Sequence, residues 1–403
     1  MQRKRGRVPL RATPLKLGLF YTALCLSSGV TTPYIAIWFR AHGLSGGEIG
    51  LILAAPMLAR VATGPALAVW ADGFRLRRTA ILIMTALSAV GYGALMATSG
   101  FWPWLMVWFV GATAYQICSP LVDVITLRRA PLDGFAYAVP RGMGSAAYIV
   151  ANVIAGLLLP RLGPELVVWW TLGAGLVLVL GAVALLPRDP VVETGERTDR
   201  RDRLAGAGEL MRDPVFMLML VSVSLIQAAH GFYYAFSTLI WRAQGIDPAW
   251  SGALWGTGVA VEVVFLWFGE PLRRRLGPER LLIAGAAGAV IRWTAFAFSP
   301  PLWLLFPLQG LHALSFTATF IASLELTQRL SPRIHASAAQ SLNAGLSLGV
   351  MTGLATLISG PLYDHAGALG YLAMSASAAL GLIGAVRLFR RLPRRVQPQT
   401  SGP

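Results

Sequence analysis

Long apolar runs dominate this chain of 403 residues and limit the folds that are open to it. A helix needs about 20 mostly apolar residues to cross a bilayer, and the sequence contains twelve such runs. They cover residues 17–39, 48–71, 79–98, 102–127, 142–160, 165–186, 214–241, 250–269, 281–298, 301–328, 336–360 and 368–389. Only 13% of the residues are charged, about half the fraction usual in soluble proteins. We therefore expect an all-α membrane protein with twelve transmembrane spans, which we number 1 to 12.

The basic residues indicate how these spans are oriented. A net charge of +16 would suit a nucleic-acid partner if the basic residues formed one patch. When alternate loops are assigned to alternate sides, however, 29 of the 34 lysines and arginines fall on the side of the termini and three on the other. Cytoplasmic loops carry such an excess. The sequence therefore predicts that both termini are cytoplasmic and that the chain binds no nucleic acid.

The second half of the sequence repeats the first. A shift of 202 residues aligns 40–44 with 242–246, which read Arg-Ala-His-Gly-Leu and Arg-Ala-Gln-Gly-Ile. Further aligned pairs are Gly29 with Gly231, Gly50 with Gly252, Arg60 with Glu262 and, at a shift of 204, Gly156 with Gly360. Two parallel repeats of six helices are the architecture of major facilitator transporters.

The repeat also divides the chain. We predict a basic cytoplasmic N-terminus at 1–16, six-helix halves at 17–186 and 214–390, a cytoplasmic linker at 187–213 and a cytoplasmic tail at 391–403.

Four ionisable residues lie deep inside the predicted spans. At 1.5 Å per residue, Arg60, Glu262, Arg292 and His312 are each about 16–18 Å from one membrane face. Ionisable groups at that depth are expensive and usually functional. For Glu262, Arg292 and His312, on spans 8, 9 and 10, we expect a network that gains and loses a proton during transport. The alternative is a static ion pair that fixes helix packing.

Arg60 has no acid within its own span, and two partners are open to it. One is a substrate carboxylate, which a guanidinium binds well through two parallel hydrogen bonds. The other is an acid on a neighbouring span. Because an unpaired buried charge is costly, we expect Arg60 to pair with Glu262 or Asp123 in the empty protein.

Two further charge pairs are predicted nearer the cytoplasmic edge. Asp123 and Arg141 reach similar depths on spans 4 and 5, and their pair is either a gate or substrate contact or a structural ion pair. Glu325 precedes Arg329 by one helical turn, which suits a structural pair.

Polar side chains on span 7 and the two cysteines complete the candidates. His230 and Tyr234 either line a substrate cavity or pack between helices. Cys25 and Cys118 are expected to be core residues. We find no metal-ligand spacing, phosphate-binding loop or nucleophile motif, so the sequence predicts neither an enzyme nor a bound cofactor.

Several short motifs together resemble the 3-phenylpropionate permease branch of the major facilitator superfamily, a relative of lactose permease. These motifs are Ser119-Pro120-Leu121, Arg141 with Gly144-Ser145, His230 with Tyr233-Tyr234, Leu254-Trp255 with Glu262, Arg292-Trp293, Gln309 with Leu311-His312, and Gly360-Pro361-Leu362-Tyr363-Asp364. The likeness extends from about residue 17 to 389. It implies proton-coupled uptake across the bacterial inner membrane by alternating access.

The resemblance also implies roles for individual residues. Glu262, Arg292 and His312 match the residue types and helices that serve sugar recognition and proton coupling in lactose permease. Asp123 and Arg141 are similar to an acid and an arginine that contact the sugar there. Ser315 stands where lactose permease has a glutamate.

A conformational latch is the last role that the resemblance implies. The loop between spans 2 and 3 keeps part of a family signature in Asp72, Arg77 and Arg78, and Asp364 joins them as a latch residue. A simple cytoplasmic turn is the alternative for the loop.

The sequence thus predicts a monomeric secondary transporter that is driven by a proton gradient. The leading substrate is a small organic anion such as an aromatic propionate. Arg60, Asp123, Arg141, His230, Tyr234 and Glu262 are the predicted substrate-binding residues. Alternatives are a proton-coupled sugar or nucleoside symporter, a drug exporter, and a membrane sensor or scaffold that kept the fold.

Overall fold

The computed structural model describes residues 12–189 and 200–392. The remaining parts of the predicted N-terminus, linker and tail lie outside the described residues. The described chain is helical almost throughout and contains no β-sheet.

The spans in the structure agree with the twelve apolar runs. Their bounds are Ala12–Ala41, Gly46–Asp72, Arg77–Ala97, Phe101–Asp133, Ala138–Leu162, Glu165–Ala184, Pro214–Ala243, Pro248–Phe268, Glu270–Ala297, Leu302–Leu330, 336–366 and Tyr371–Arg391. The described part of the linker contains a further helix, Arg200–Arg212. By length and hydropathy, eleven helical stretches can cross a membrane. The last of them contains spans 11 and 12, which the short 3₁₀ turn Gly367–Gly370 joins, so the predicted twelve-span fold is confirmed.

Capping residues explain where several spans begin. Ser45 and Glu48 form a capping box at the start of span 2, which satisfies two backbone amides that a helix end would leave unpaired. Asp247 precedes Pro248, and its carboxylate accepts the backbone N–H of Ala249 at 2.8 Å. Proline fits the first helical position because its missing N–H has no partner there in any case.

The spans of the second half are less regular than those of the first. Span 7 is interrupted by a turn at Ala229 and His230. Span 10 breaks after Gly310 and continues through the π-helical segment Ala313–Ala318, and span 11 contains a second π-helical segment, Ala344–Met351. Irregular turns of this kind often occur at functional sites.

The two halves meet through glycines on one side of the bundle. We call the side on which span 1 begins and span 12 ends the terminal side, and the other the distal side. On the distal side Gly50 packs on Gly360, and Gly252 packs on the backbone of Asn152. A side-chain carbon on Gly252 would lie 2.5 Å from the carbonyl oxygen of Asn152, so only glycine allows this approach.

The terminal side shows no comparable closure. Within the described residues, the hydrogen bonds and ion pairs that join the two halves lie at the distal side or at mid-depth. Among the residues that the structure describes, the two halves are therefore closed against each other on the distal side and not on the terminal side, which we call the open side.

One predicted ion pair is wrong. Arg329 lies 2.7 Å from Glu279 of span 9, whereas Glu325 is exposed. Arg329 is thus held by a partly buried acid on a neighbouring helix rather than by Glu325, one turn away in its own span.

Candidate substrate cavity and charge network

A cavity of about 400 Å³ lies between the two halves. Residues of both halves line it, and most of them are aromatic or apolar. Those with hydrogen-bonding or aromatic side chains are Ser28, Thr31, Thr32, Tyr92, Trp108, Tyr115, Gln116, Tyr148, Tyr233, Tyr234, Trp255, Glu262, His312 and Thr356. Its volume and composition are those of a small-molecule site.

The cavity is lined by apolar and aromatic residues near the distal side and by polar residues farther from it. At 1.5 Å per residue, Leu53, Trp108 and Trp255 lie about 10 Å from the distal ends of their spans and form an apolar ceiling. Gln116 and Glu262 lie about 21 Å from those ends. A ligand with an apolar ring and a polar head would therefore bind with the ring toward the distal side.

Glu262 begins a chain of hydrogen bonds that leads from the cavity into the second half. His312 Nε2 lies 2.7 Å from Glu262 Oε1, and His312 Nδ1 lies 2.7 Å from an amino nitrogen of Arg292. The exposed fractions of the three side chains fall along the chain, from 20% for Glu262 to 7% for His312 and none for Arg292. The three predicted residues are therefore in contact with one another, and the outer two, Glu262 and His312, line the cavity.

The partners of His312 determine its protonation. Arginine donates hydrogen bonds and cannot accept them, so Nδ1 must accept from Arg292 and carry no proton. Nε2 then carries the hydrogen and donates it to the Glu262 carboxylate. We assign a neutral imidazole to His312 from these partners, because an imidazolium could not keep the bond to Arg292.

Arg292 is enclosed by other groups of the second half. Its guanidinium donates to Gln309 Oε1 and lies 3.4 Å from Ser315 Oγ. It also lies 4.7 Å from the ring centre of Tyr233, and Gln309 donates to the Tyr233 hydroxyl at 3.0 Å. Because Tyr233 lines the cavity, Gln309 connects a cavity wall to the buried arginine.

His230 lies behind the cavity wall. It is fully buried at the interruption of span 7, with Nε2 3.2 Å from Ser315 Oγ and Nδ1 3.2 Å from the carbonyl oxygen of Gln227. Tyr234, by contrast, lines the cavity directly. The structure thus places one of these two predicted ligands in the wall and the other behind it.

Arg60 lies at the terminal-side rim of the cavity. It follows the lining residues Pro56 and Met57 by four and three positions, so it shares their helix face. The expectation that Arg60 pairs with Glu262 or Asp123 is wrong: among the described residues it is exposed and has no polar partner. Both acids bond to other groups.

Asp123 and Arg141 lie on the terminal side of the cavity and do not form the predicted ion pair. Asp123 accepts hydrogen bonds from the hydroxyls of Tyr21 at 2.5 Å and Tyr137 at 2.9 Å. The Arg141 guanidinium lies 5.5 Å from the centre of the Tyr21 ring. Burial and the neighbouring Asp123 raise the pKa of Tyr137, in the loop between spans 4 and 5, to about 12, so its hydroxyl stays a donor at neutral pH.

The four predicted latch residues do not form one latch. Asp72 and Arg77 pair at 3.3 Å on the terminal side, and Arg78 has no polar partner within the described residues. Asp364 is on the distal side, where its carboxylate accepts the backbone N–H groups of Gly46 at 2.9 Å and Gly47 at 3.0 Å.

Sequence reasoning missed several polar residues of these sites. Gln116 and Tyr148 line the cavity, and Gln309 contacts Arg292. Asp189 is buried and pairs with Arg128 at 3.2 Å. Gln309 was recognised only as part of a motif, since neutral residues in spans give a weak signal compared with charges.

The MFS_1 like family matches residues 15–372 of the chain. The chain belongs to this family. It is a secondary transporter of the major facilitator type and not an enzyme, as its relatives also indicate. The probable 3-phenylpropionic acid transporter of Escherichia coli (strain K12) is 26% identical over 365 residues, covering 87% of this chain and 91% of that protein.

Two further comparisons agree with these findings, one in sequence and one in fold alone. The maltose permease of Geobacillus stearothermophilus is 26% identical over 386 residues, covering 93% of this chain and 94% of that protein. The crystal structure of the nucleoside transporter NupG superposes with a TM-score of 0.81 at 17% identity, covering 94% of this chain and 100% of that one. The relatives' names cover three substrate classes, so they leave the substrate of this family member open.

Proposed function

We propose that the chain is a proton-coupled symporter of a small organic anion of the aromatic propionate class. One observation carries the proposal: Arg60, an arginine with no polar partner among the described residues, lies one helical turn beyond the lining residues Pro56 and Met57 of an aromatic cavity. A guanidinium without a polar partner can donate two parallel N–H hydrogen bonds to a carboxylate. The substrate's ring would pack below Trp108 and Trp255, with its carboxylate toward the terminal side.

The charges around the cavity suggest how proton and substrate are coupled. Glu262 is the acid of the network, and the bond from Arg292 keeps His312 neutral, so Glu262 is the group that takes the proton. Protonation removes the negative charge of Glu262 from the network that holds the buried Arg292. A bound carboxylate restores that charge, so protonation and substrate binding favour each other.

We also propose a location for the protein and an orientation of its termini in the membrane. The basic residues place both termini and the linker in the cytoplasm of a bacterium, which makes the open terminal side the inward-facing side. One chain contains a complete cavity, which supports a monomer. A cysteine introduced between residues 193 and 203 should react with an impermeant thiol reagent only after the cells are opened, and reaction in intact cells would contradict this orientation.

A neutral sugar or nucleoside is the second candidate. It is favoured by the floor of the cavity, where Gln116, Tyr148 and Glu262 offer hydrogen bonds suited to hydroxyl groups. The maltose permease and nucleoside transporter among the relatives point the same way.

Uptake into proteoliposomes separates the two candidates. Labelled aromatic acids, sugars and nucleosides are offered with and without an inward proton gradient, and the proposal expects gradient-driven accumulation of the acids. Arg60→Gln should lower affinity for the acid about tenfold to a hundredfold, because a charge-assisted hydrogen bond contributes about 1.5–3 kcal/mol. Arg60→Lys should rescue poorly, since lysine lacks the planar fork.

The uncharged amide of the same acid is the control, and its binding should change little in either variant. Equal losses for acid and amide, or a parent that prefers sugars or nucleosides, would favour the neutral substrate.

A further inference from the structure

Among the described residues, Gln116 is the hydrogen-bonding side chain of span 4 that lines the cavity, is partly exposed and has no partner. The other residues of its lining face are Trp108, Ala112 and Tyr115. The Tyr115 hydroxyl already donates to the carbonyl oxygen of Leu24 at 2.6 Å, Ala112 is apolar, and the indole N–H of Trp108, although it has no partner among the described residues, is buried. The Gln116 side chain has no hydrogen-bond partner within the described residues and is partly exposed to the cavity.

The neighbouring walls of the first half explain why this carboxamide stands out. Span 2 contributes only the apolar residues Leu53, Pro56 and Met57. On span 1, Thr31 donates to the carbonyl oxygen of Ser27 at 2.6 Å, and Ser28 lies 3.4 Å from the carbonyl oxygen of Cys25. Much of the polar capacity of this half is therefore used within the protein, whereas the exposed Thr32 hydroxyl and the Gln116 carboxamide are available to a ligand, and only Gln116 lies as deep as Arg60.

Gln116 and Arg60 lie at the same level on two spans that pack together. Gln116 is 15 residues from Phe101 at the distal end of span 4, and Arg60 is 14 residues from Gly46 at the distal end of span 2. At 1.5 Å per residue both depths are about 21–22 Å. The two spans are in contact along the bundle, and both residues continue the cavity-lining face of their own helix.

We infer that Gln116 acts with Arg60 as the residue that selects a carboxylate head group. This inference rests on the proposed function and adds a specificity-determining residue to it. The guanidinium supplies the positive charge, and the Gln116 side-chain NH₂ donates a hydrogen bond to the substrate's carboxylate. A carboxylate offers no donor to the Gln116 side-chain oxygen, so the orientation of the amide depends on the ligand.

The substitution Gln116→Glu tests this role, because it keeps the shape and replaces the donor with a second carboxylate. The new carboxylate would pair with Arg60 and repel the substrate. We expect uptake of 3-phenylpropionate at pH 7 to fall about a hundredfold, while competition by 3-phenylpropionamide changes less than threefold. Gln116→Leu removes the donor without adding charge and should cost acid uptake about tenfold.

Gln328→Glu is the matched control, since Gln328 is exposed at the terminal end of span 10. It adds the same charge outside the cavity and should leave the ratio of acid to amide unchanged. Size-exclusion profiles of the purified variants confirm that each one folds.

The outcomes separate this inference from the proposed function. A parent protein that takes up no aromatic acid overturns the proposed function. A parent that takes up the acid, with a Gln116→Glu variant that keeps the parent's ratio of acid to amide, overturns the role of Gln116 alone. The same holds if Gln116→Leu transports the acid as the parent does.

Discussion

The two halves of the bundle share a sequence repeat but differ in their interior chemistry. In the first half all six spans are continuous helices, and the partly buried acid Asp123 is held by two tyrosine hydroxyls. In the second half spans 7, 10 and 11 are interrupted, and span 9 is kinked at Gly277. His230 and His312 lie at the interruptions of spans 7 and 10, with ring centres 5.5 Å apart. The acid and the histidine that line the cavity thus come from the less regular half, whereas both halves supply aromatic residues to its wall.

The largest expected effect tests this division directly. Glu262→Gln should reduce proton-driven accumulation about a hundredfold, to the level seen without a gradient, because it removes the acid of the network while keeping its volume. Asp123→Asn should still accumulate substrate to within about threefold of the parent, since the amide oxygen can accept a tyrosine hydroxyl. Accumulation is measured in proteoliposomes with an imposed pH gradient. A reversed order of the two variants would move proton coupling into the first half.

On the distal side, the two halves should contribute equally to the packing that keeps the bundle closed. Gly50→Leu and Gly252→Leu change repeat mates, and each adds a side chain where backbone packs on backbone. Overpacking costs about 1–3 kcal/mol, so either variant should shift the population toward a distally open form about fivefold to a hundredfold. Labelling of a cysteine placed in the cavity by an outside reagent reports the shift.

Gly173→Leu is the control for these glycines, because a side chain there meets nothing within 4 Å. If only one of the two variants opens the distal side, the two halves contribute unequally to closure. The repeated glycines would then be equivalent in sequence but not in transport.

A smaller effect is expected from substitution of His312 in the second half. His312→Gln can donate to Glu262 and accept from Arg292 as the neutral imidazole does, so accumulation should stay within about tenfold of the parent. His312→Leu can do neither and should lose coupling. Uptake with and without a gradient distinguishes these results. A complete loss of accumulation in His312→Gln would make the imidazole, rather than Glu262, the proton carrier.

The smallest effect concerns the caps of two repeat-related helices. Span 8 is capped by Asp247 of its own half, whereas span 2 receives a further cap from Asp364 of the other half. A charge at a helix N-terminus contributes about 0.3–1 kcal/mol, so Asp364→Asn should favour the distally open form about two- to fivefold. Asp247→Asn should leave that population unchanged. The same cysteine-labelling assay measures both, and equal shifts would show that the cross-half contact has no special effect.

The fold could be predicted because the lengths of the apolar runs and the internal repeat can both be read from the order of residues along the chain. The aligned glycines Gly50 and Gly252 also indicated equivalent positions, and both lie in the distal contact. The interruptions of spans 7, 10 and 11 were not predicted. They depend on how hydrogen bonds within each span are satisfied by neighbouring helices, which a hydropathy pattern does not contain.

The candidate site was predictable in its charges and not in its partners. Glu262, Arg292 and His312 stood out because charged groups are rare inside spans. Depth along a helix, however, gives no information about the direction of a side chain. Arg60 shares its depth with Glu262 and still has no ion pair, and Asp123 bonds to tyrosines in preference to Arg141. Gln116 and Gln309 have neutral side chains, so they could not be recognised in the sequence as buried charges are.

The cap that Asp364 gives to span 2 has a consequence for the biosynthesis of this protein. The ribosome completes span 2 some 300 residues before it reaches Asp364, so the amides of Gly46 and Gly47 must first be solvated by water. The start of span 2 receives this carboxylate only after the second half has been inserted beside the first. Expressing the halves as separate chains should therefore leave that end of span 2 incomplete until they assemble, and hydrogen exchange at these two amides would report assembly.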